Sequence, residues 1–158
     1  MKRIQLMPMG LHDLADVAAI ENQAFKNPWG ILAFVNELAQ EYAYNYVLKS
    51  VQGKIIGYFC FRLIAGDLHV LKVAVSETHR RKGIASAFFD QCLDQIPESI
   101  DNAFLEVRPA NLAAIRLYEK AGFSVIGRRP AYYTDSGEDA MIMGKIFKGG
   151  SYERKNCN

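Results

Sequence analysis

Between Asp67 and Gly122 the apolar spacing of this chain changes from a period of two to the helical period and back, twice over. "DLHVLKVAV" alternates as a strand does. The run from about Gly83 to Ile96 places Ile84, Ala87, Phe88, Leu93 and Ile96 inward on a helix. "NAFLEVR" alternates again, and "NLAAIRLYEKAG" returns to helical spacing, with Asn111 placed to cap its start and Gly122 its end. A right-handed crossover through the first helix makes the two strands parallel. Upstream, Tyr44 to Ser50 and Lys54 to Ala65 are β-rich runs separated by "VQG", which reads as a hairpin. Leu14, Val17, Ala18, Glu21, Ala24 and Phe25 recur at helical spacing, as do Ile31, Phe34, Val35 and Leu38 after "NPW". The chain closes on "FSVIGRR", a turn around "TDSGED", and "DAMIMGKIF". The expectation is a single α/β domain over residues 1–148 with a mixed sheet, followed by a polar tail, 149–158, that frays.

With 158 residues, half of them apolar, the chain is the size of one domain with a core of its own. A net charge of +2, from 19 Lys+Arg and 17 Asp+Glu, argues against a general nucleic-acid binder. The basic N-terminus "MKRIQLMPMG" has no apolar stretch behind it, and no window approaches the roughly 18 apolar residues of a membrane span. A soluble, cytoplasmic protein is expected. Cys60, Cys92 and Cys157 are odd in number and lack metal-ligand spacing, and His12, His69 and His79 make no motif with them, so neither disulfides nor a metal is expected.

"HRRKG" lies between the strand that ends at Val75 and the helix that begins near Gly83. Its backbone N–H groups therefore join the unpaired ones of the first helical turn, where the helix dipole adds positive potential. Gly83 lets the backbone approach a ligand, Ala85 and Ser86 are small, and Arg80, Arg81 and Lys82 attract an anion from a distance. Phosphate or pyrophosphate is the natural occupant. The pattern R-x-x-G-x-A alone is weak, since a chain of this length shows it by chance with a probability of about 0.1 to 0.2. Its position between strand and helix supplies the N–H groups that a random basic turn lacks. Neither the G-K-[ST] of a Walker loop nor G-x-G-x-x-G is present.

"VAVSETHRRKGIA", "LEVRPANLAAIRLYEKAGF" and "GRRPAYYTDSGEDAMIM", in this order and spacing, resemble the GNAT superfamily of acetyl-CoA-dependent N-acetyltransferases, and within it the RimI type that acetylates the N-terminal alanine of a ribosomal protein. The resemblance runs from "ENQAFKNPW" near residue 21 to about residue 147. It implies a mostly antiparallel sheet with a splayed parallel pair flanked by helices, and acetyl-CoA as co-substrate. Arg81 to Ser86, that is Arg81, Lys82, Gly83, Ile84, Ala85 and Ser86, would wrap the pyrophosphate, with Arg80 also among the cofactor-binding residues, and the backbone of Val73, Ala74 and Val75 would pair with the pantetheine as an added strand.

Acetyl transfer from a thioester to an amine needs a neutral amine, support for the developing oxyanion and a proton for the departing thiolate. Alternation in "NAFLEVR" puts Ala103, Leu105 and Val107 on one face and Phe104, Glu106 and Arg108 on the other. Read from its residues, Glu106 is either a surface carboxylate paired with Arg108 or a carboxylate beside the phosphate loop, whose pKa would rise if it were desolvated. The resemblance makes it the general base. Tyr118 shares a helical stripe with Ala114, Leu117 and Ala121 and reads as core; the resemblance makes it the general acid. Asn111 caps its helix and, on the family pattern, also contacts the cofactor. Trp29, Tyr132 and Tyr133 are either ordinary aromatic packing or, as the resemblance implies, walls of the peptide cleft. Pro130 and Arg80 depart from the commonest family pattern. The implied partner is the N-terminus of a ribosomal protein. Acetylation of lysine or a small amine, a non-catalytic acetyl-CoA sensor and a toxin acting on transfer RNA are the competing readings; Glu106 with Tyr118 argues against the sensor, and the low net charge against the toxin.

Overall fold

The structure, a computed structural model, describes residues 3–147; the polar tail 149–158, with Cys157, lies outside the described residues. Along them follow β1 (Gln5–Pro8), α1 (Leu14–Ala24), α2 (Ile31–Leu38), β2 (Ala43–Lys49), β3 (Ile55–Ile64), β4 (Asp67–Val75), α3 (Ile84–Asp94), β5 (Asn102–Val107), α4 (Leu112–Lys120), β6 (Ser124–Arg129) and β7 (Ala140–Ile146). The strands join in the order β1-β2-β3-β4-β5-β7-β6. β4 and β5 are parallel, in register from Asp67 opposite Asn102 to His69 opposite Phe104. β1 with β2, β2 with β3, β5 with β7 and β6 with β7 are antiparallel. The mixed, mostly antiparallel sheet with a parallel pair is as expected. β1 is an addition: four mostly exposed residues are too short to declare a period, and pairing with β2 makes them a strand.

The described residues fall into two compact units, 3–62 with 71–97, and 63–70 with 98–147. In the first, the apolar stripe of α1 (Leu14, Val17, Ile20) and Phe34 of α2 bury against Val47, Ile55, Tyr58, Cys60 and Ala74 of β2, β3 and β4. α3 buries Ile84, Phe89, Cys92 and Leu93, while Ala87 is exposed and Phe88 half-buried. This corrects the expected inward face. Two adjacent phenylalanines leave a helical stripe ambiguous by about 100°, and the edge packing of Phe89 on Phe59 and Phe61, with centroids at 6.4 and 5.8 Å, decides it. Gly57 of β3 is required sterically: a Cβ there would stand 2.9 Å from the Ala74 carbonyl oxygen.

In the second unit Ala103, Leu105 and Val107 of β5 are buried as alternation requires. Asn111 caps α4 by accepting the Ala114 N–H at 3.2 Å, and Gly122, at φ +94°, ends it. The turn from β3 to β4 places Ala65 and Gly66 at φ 50° and 82°, the left-handed pair of a tight hairpin.

Candidate active site

In the first unit the phosphate-loop candidates form one continuous segment. Ser76 N–H donates to Ile56 O at 2.8 Å, and strand alternation turns the Ala74 backbone toward β3 likewise. The backbone groups of Val73 and Val75 therefore face the opposite edge of β4. Arg80 Nε donates to Val75 O at 3.0 Å, folding the loop back on its own strand. Arg81 and Gly83 both adopt positive φ, 61° and 70°, the second as the N-cap of α3 without a side-chain cap bond. The N–H groups of Ile84, Ala85 and Ser86 open the helix with no intrahelical partner. A Cβ on Gly83 would meet nothing within 4 Å, so the glycine is there for its φ, and the space beside it is open. Arg81 and Lys82 are exposed, while Ile84 is buried and anchors the turn.

Trp29 lies in the same unit. It is half-buried, packed edge-on against Phe34 at 5.2 Å, and its backbone N–H donates to the Glu21 carboxylate at 3.0 Å. Glu21 is fully buried and also receives Lys72 Nζ at 2.7 Å and the Tyr58 hydroxyl. Burial, and then the charge of Glu21, push the Tyr58 hydroxyl far up.

In the second unit Glu106 is held by residues that sequence spacing does not single out. Its side chain is 7% exposed. His69 Nε2 lies 2.6 Å from Oε2, and Arg129, 48% exposed, donates to Oε1 at 3.3 Å. Burial alone would raise this carboxyl, but the hydrogen bond and charge of His69, together with the charge of Arg129, outweigh it and hold it below its ordinary range. The alternative reading, a pairing of Glu106 with Arg108, is not what forms: Arg108 binds Asp135 at 2.8 Å and Glu138 at 3.3 Å and lies 3.9 Å over the Tyr133 ring, tying down the turn that precedes β7. The reason is register. On β5 Glu106 lies two positions after Phe104, on the same face, and the Phe104 ring stacks on His69 at 4.4 Å, so the imidazole is already in reach of the carboxylate.

Tyr132 and Tyr133 meet edge to face at 5.0 Å. Burial pushes both hydroxyls up, Tyr133 to about 12, and the Glu106 charge adds to both, which brings the three residues into one electrostatic neighbourhood. Tyr118 is 8% exposed and packs on Phe123 at 5.8 Å. Burial, then the nearby Tyr133, raises its hydroxyl well above the ordinary tyrosine value. His69 and Arg129 are the residues that the sequence reading missed; the one signal was the place of His69 on a strand expected to lie parallel to the one carrying Glu106.

The model of the acetyltransferase (GNAT) family matches residues 14–123. The chain is 31% identical over 134 residues to the [ribosomal protein bS18]-alanine N-acetyltransferase of Escherichia coli K12, covering 83% of this chain and 89% of that one. It is 30% identical over 156 residues to an N-alpha-acetyltransferase of Sulfurisphaera tokodaii, covering 90% and 92%. The crystal structure of the Escherichia coli ribosomal-protein-S18-alanine N-acetyltransferase superposes with a TM-score of 0.83 over 97% of this chain and 98% of that one, at 27% identity. A glycine-capped basic loop on β4, and a buried glutamate on the strand parallel to it, thus stand on the scaffold of that family: this chain belongs to the GNAT acetyltransferases and is an N-acetyltransferase.

Proposed function

We propose that the enzyme transfers the acetyl group of acetyl-CoA directly to the N-terminal α-amine of a protein beginning with alanine, a ribosomal protein. The names of the two relatives support an α-amine as acceptor. Acetyl-CoA, when bound, supplies a thioester that an amine can open. The loop suits its pyrophosphate: Gly83 leaves open space beside the uncapped first turn of α3, with the N–H groups of Ile84, Ala85 and Ser86 and the charges of Arg80, Arg81 and Lys82 around it. Val73 and Val75 offer backbone groups on the edge of β4 away from β3 for the pantetheine amides, the Val75 carbonyl while also accepting Arg80 Nε. Asn111 uses Oδ1 as the α4 cap, so a contact with the donor falls to its amide nitrogen.

The observation that carries the chemistry is the Glu106 carboxylate, nearly out of water, kept ionised, and hydrogen-bonded to an imidazole. A carboxylate so held is a weak base. It cannot strip a lysine ammonium, which titrates near 10.4, but an α-ammonium titrates near 7.7 to 8.0, so close to pH 7.4 about a quarter of it is already neutral against about 0.1% of lysine. Glu106 then has only to take up the proton released as the C–N bond forms, and His69 gives that proton a second residence. Burial keeps the Tyr118 hydroxyl protonated at rest; it gives that proton to the departing sulfur, and the proton that Glu106 took up restores it through solvent. Cys60 and Cys92, the cysteines among the described residues, are fully buried, and burial pushes both thiols up, so neither is a ready thiolate to carry an acyl group, which favours direct transfer. We assign acceptor recognition to Trp29 in the first unit and to Tyr132 and Tyr133 in the second, aromatic side chains that favour a chain end with a small first side chain.

Peptides beginning with alanine, and next with serine, should be acetylated at the α-amine with kcat/KM at least about ten-fold above that of an internal lysine in an N-terminally blocked peptide, as read by mass spectrometry. Equal or faster modification of the blocked peptide would replace this reading by lysine acetylation.

A further inference from the structure

Residues 25–30, which join α1 to α2, belong to no helix or strand; at the two ends the Phe25 N–H donates to Glu21 O and Gly30 O accepts the Ala33 N–H. Their anchor is Glu21. Its Oε1 accepts the Trp29 N–H at 3.0 Å and Lys72 Nζ at 2.7 Å, and its Oε2 accepts the Tyr58 hydroxyl. Lys72 comes from β4, directly before Val73, with its side chain 13% exposed. Its ammonium also lies 4.0 Å from the centroid of the Phe25 ring and 5.2 Å from that of Trp29. One cation therefore touches both rings of the turn and the carboxylate that holds its main chain. An ion pair taken out of water is a poor way to add stability, because an apolar pair of similar shape does as well or better. What it adds here is geometry: four groups from separate elements have one arrangement in which the buried charge is satisfied.

We propose that Lys72 and Glu21 form a strut that fixes the 25–30 turn against β4, which makes Lys72 a positioning residue for the acetyl acceptor. The proposal rests on the assignment of acceptor recognition to Trp29. Without the cation, Phe25 and Trp29 lose the contact that orders them, and the acceptor is held less well. β4 itself is held by its neighbour β3, so the backbone groups of Val73 and Val75 on its opposite edge stay where they are and donor binding is spared.

Trp29 is the only tryptophan of the chain, so its fluorescence reports on the turn without any turnover. In Lys72→Met, which keeps the length and removes the charge, acrylamide quenching of Trp29 should rise about two-fold and acceptor KM about ten-fold, with acetyl-CoA KM within about two-fold of the parent. Lys72→Arg, which keeps the charge and the contact with the rings, should restore both readouts toward the parent. Unchanged quenching with unchanged acceptor KM would overturn the strut, as would an equal rise in both KM values, the mark of general loosening. If Lys72→Met does not fold, Glu21→Gln with Lys72→Met removes both charges and is judged by the same outcomes. A parent enzyme that acetylates no peptide would refute the functional reading separately; the quenching ratio then decides the strut, a rise supporting it and no change overturning it.

Discussion

Glu21 and Glu106 are the same residue type, both almost wholly out of water, and they differ in who holds them. Glu21 is bonded to a main-chain N–H, a tyrosine hydroxyl and an ammonium, three groups that meet a carboxylate only as donors. Glu106 is bonded to an imidazole and, at a loose 3.3 Å, to a half-exposed guanidinium. A carboxylate surrounded by fixed donors is a structural anchor. One that faces a group able to take up or release a proton, and a second able to move away, is fit for chemistry. Burial of a charge therefore does not by itself separate support from catalysis; the mobility of the neighbours' protons does.

The sharpest way to break this contrast is to remove each charge while keeping its shape. Glu106→Gln should lower kcat by about 100-fold or more while the urea midpoint moves little. Glu21→Gln should do the reverse, costing about 2–4 kcal/mol in urea unfolding by leaving Lys72 without its counter-charge, while kcat at saturating acceptor changes less than about ten-fold. A Glu21→Gln enzyme that folds but does not turn over would erase the distinction.

Two of the buried tyrosines, Tyr58 and Tyr118, extend the comparison. Tyr58 gives its hydroxyl to Glu21, whereas Tyr118 is the proposed proton donor. Tyr118→Phe should reduce kcat by about 100-fold with acetyl-CoA still bound, and Tyr58→Phe should affect stability instead. A Tyr118→Phe enzyme as fast as its parent would return that residue to the core.

A ten-fold effect, about 1.4 kcal/mol, is expected at the loop. Gly83→Val, which forces a β-branched residue to φ +70°, and Ala85→Glu, which adds a negative charge to the anion site, should each weaken coenzyme A binding by at least that amount in calorimetry. Unchanged affinity in both would remove the loop from the donor site.

The smallest effect concerns pH. Because the Glu106 carboxyl is lowered in the fold, its share of stability is present above the ordinary carboxyl pKa and is lost as pH falls through the lowered value. The difference in Tm between the parent and Glu106→Gln should therefore shrink between about pH 5 and pH 3. A constant difference across that range would mean that His69 and Arg129 do not favour the ionised form.

Everything that depends on neighbours a few residues away was legible in the chain itself. The alternation that buries Ala103, Leu105 and Val107 and turns Glu106 to the other face, the Asn111 cap, and the basic loop ending in Gly83 are consequences of local geometry, repeated at periods that a reader can count. The partners of the charged groups were not legible. His69 stands 37 residues from Glu106, Arg129 stands 23 residues from it, and Lys72 stands 51 from Glu21. A period of two tells which face a side chain takes but not which strand lies beside it, nor in what register, and a slip of one residue would have sent His69 to the other side of the sheet. The same holds for Arg108, which sits two residues from Glu106 yet binds Asp135 and Glu138, and for Phe89, chosen over Phe88 by the rings it meets on β3. Local spacing set the elements and the residues they display; long-range register assigned each charge its partner, because that contact is paid for by the whole sheet and not by any segment of it.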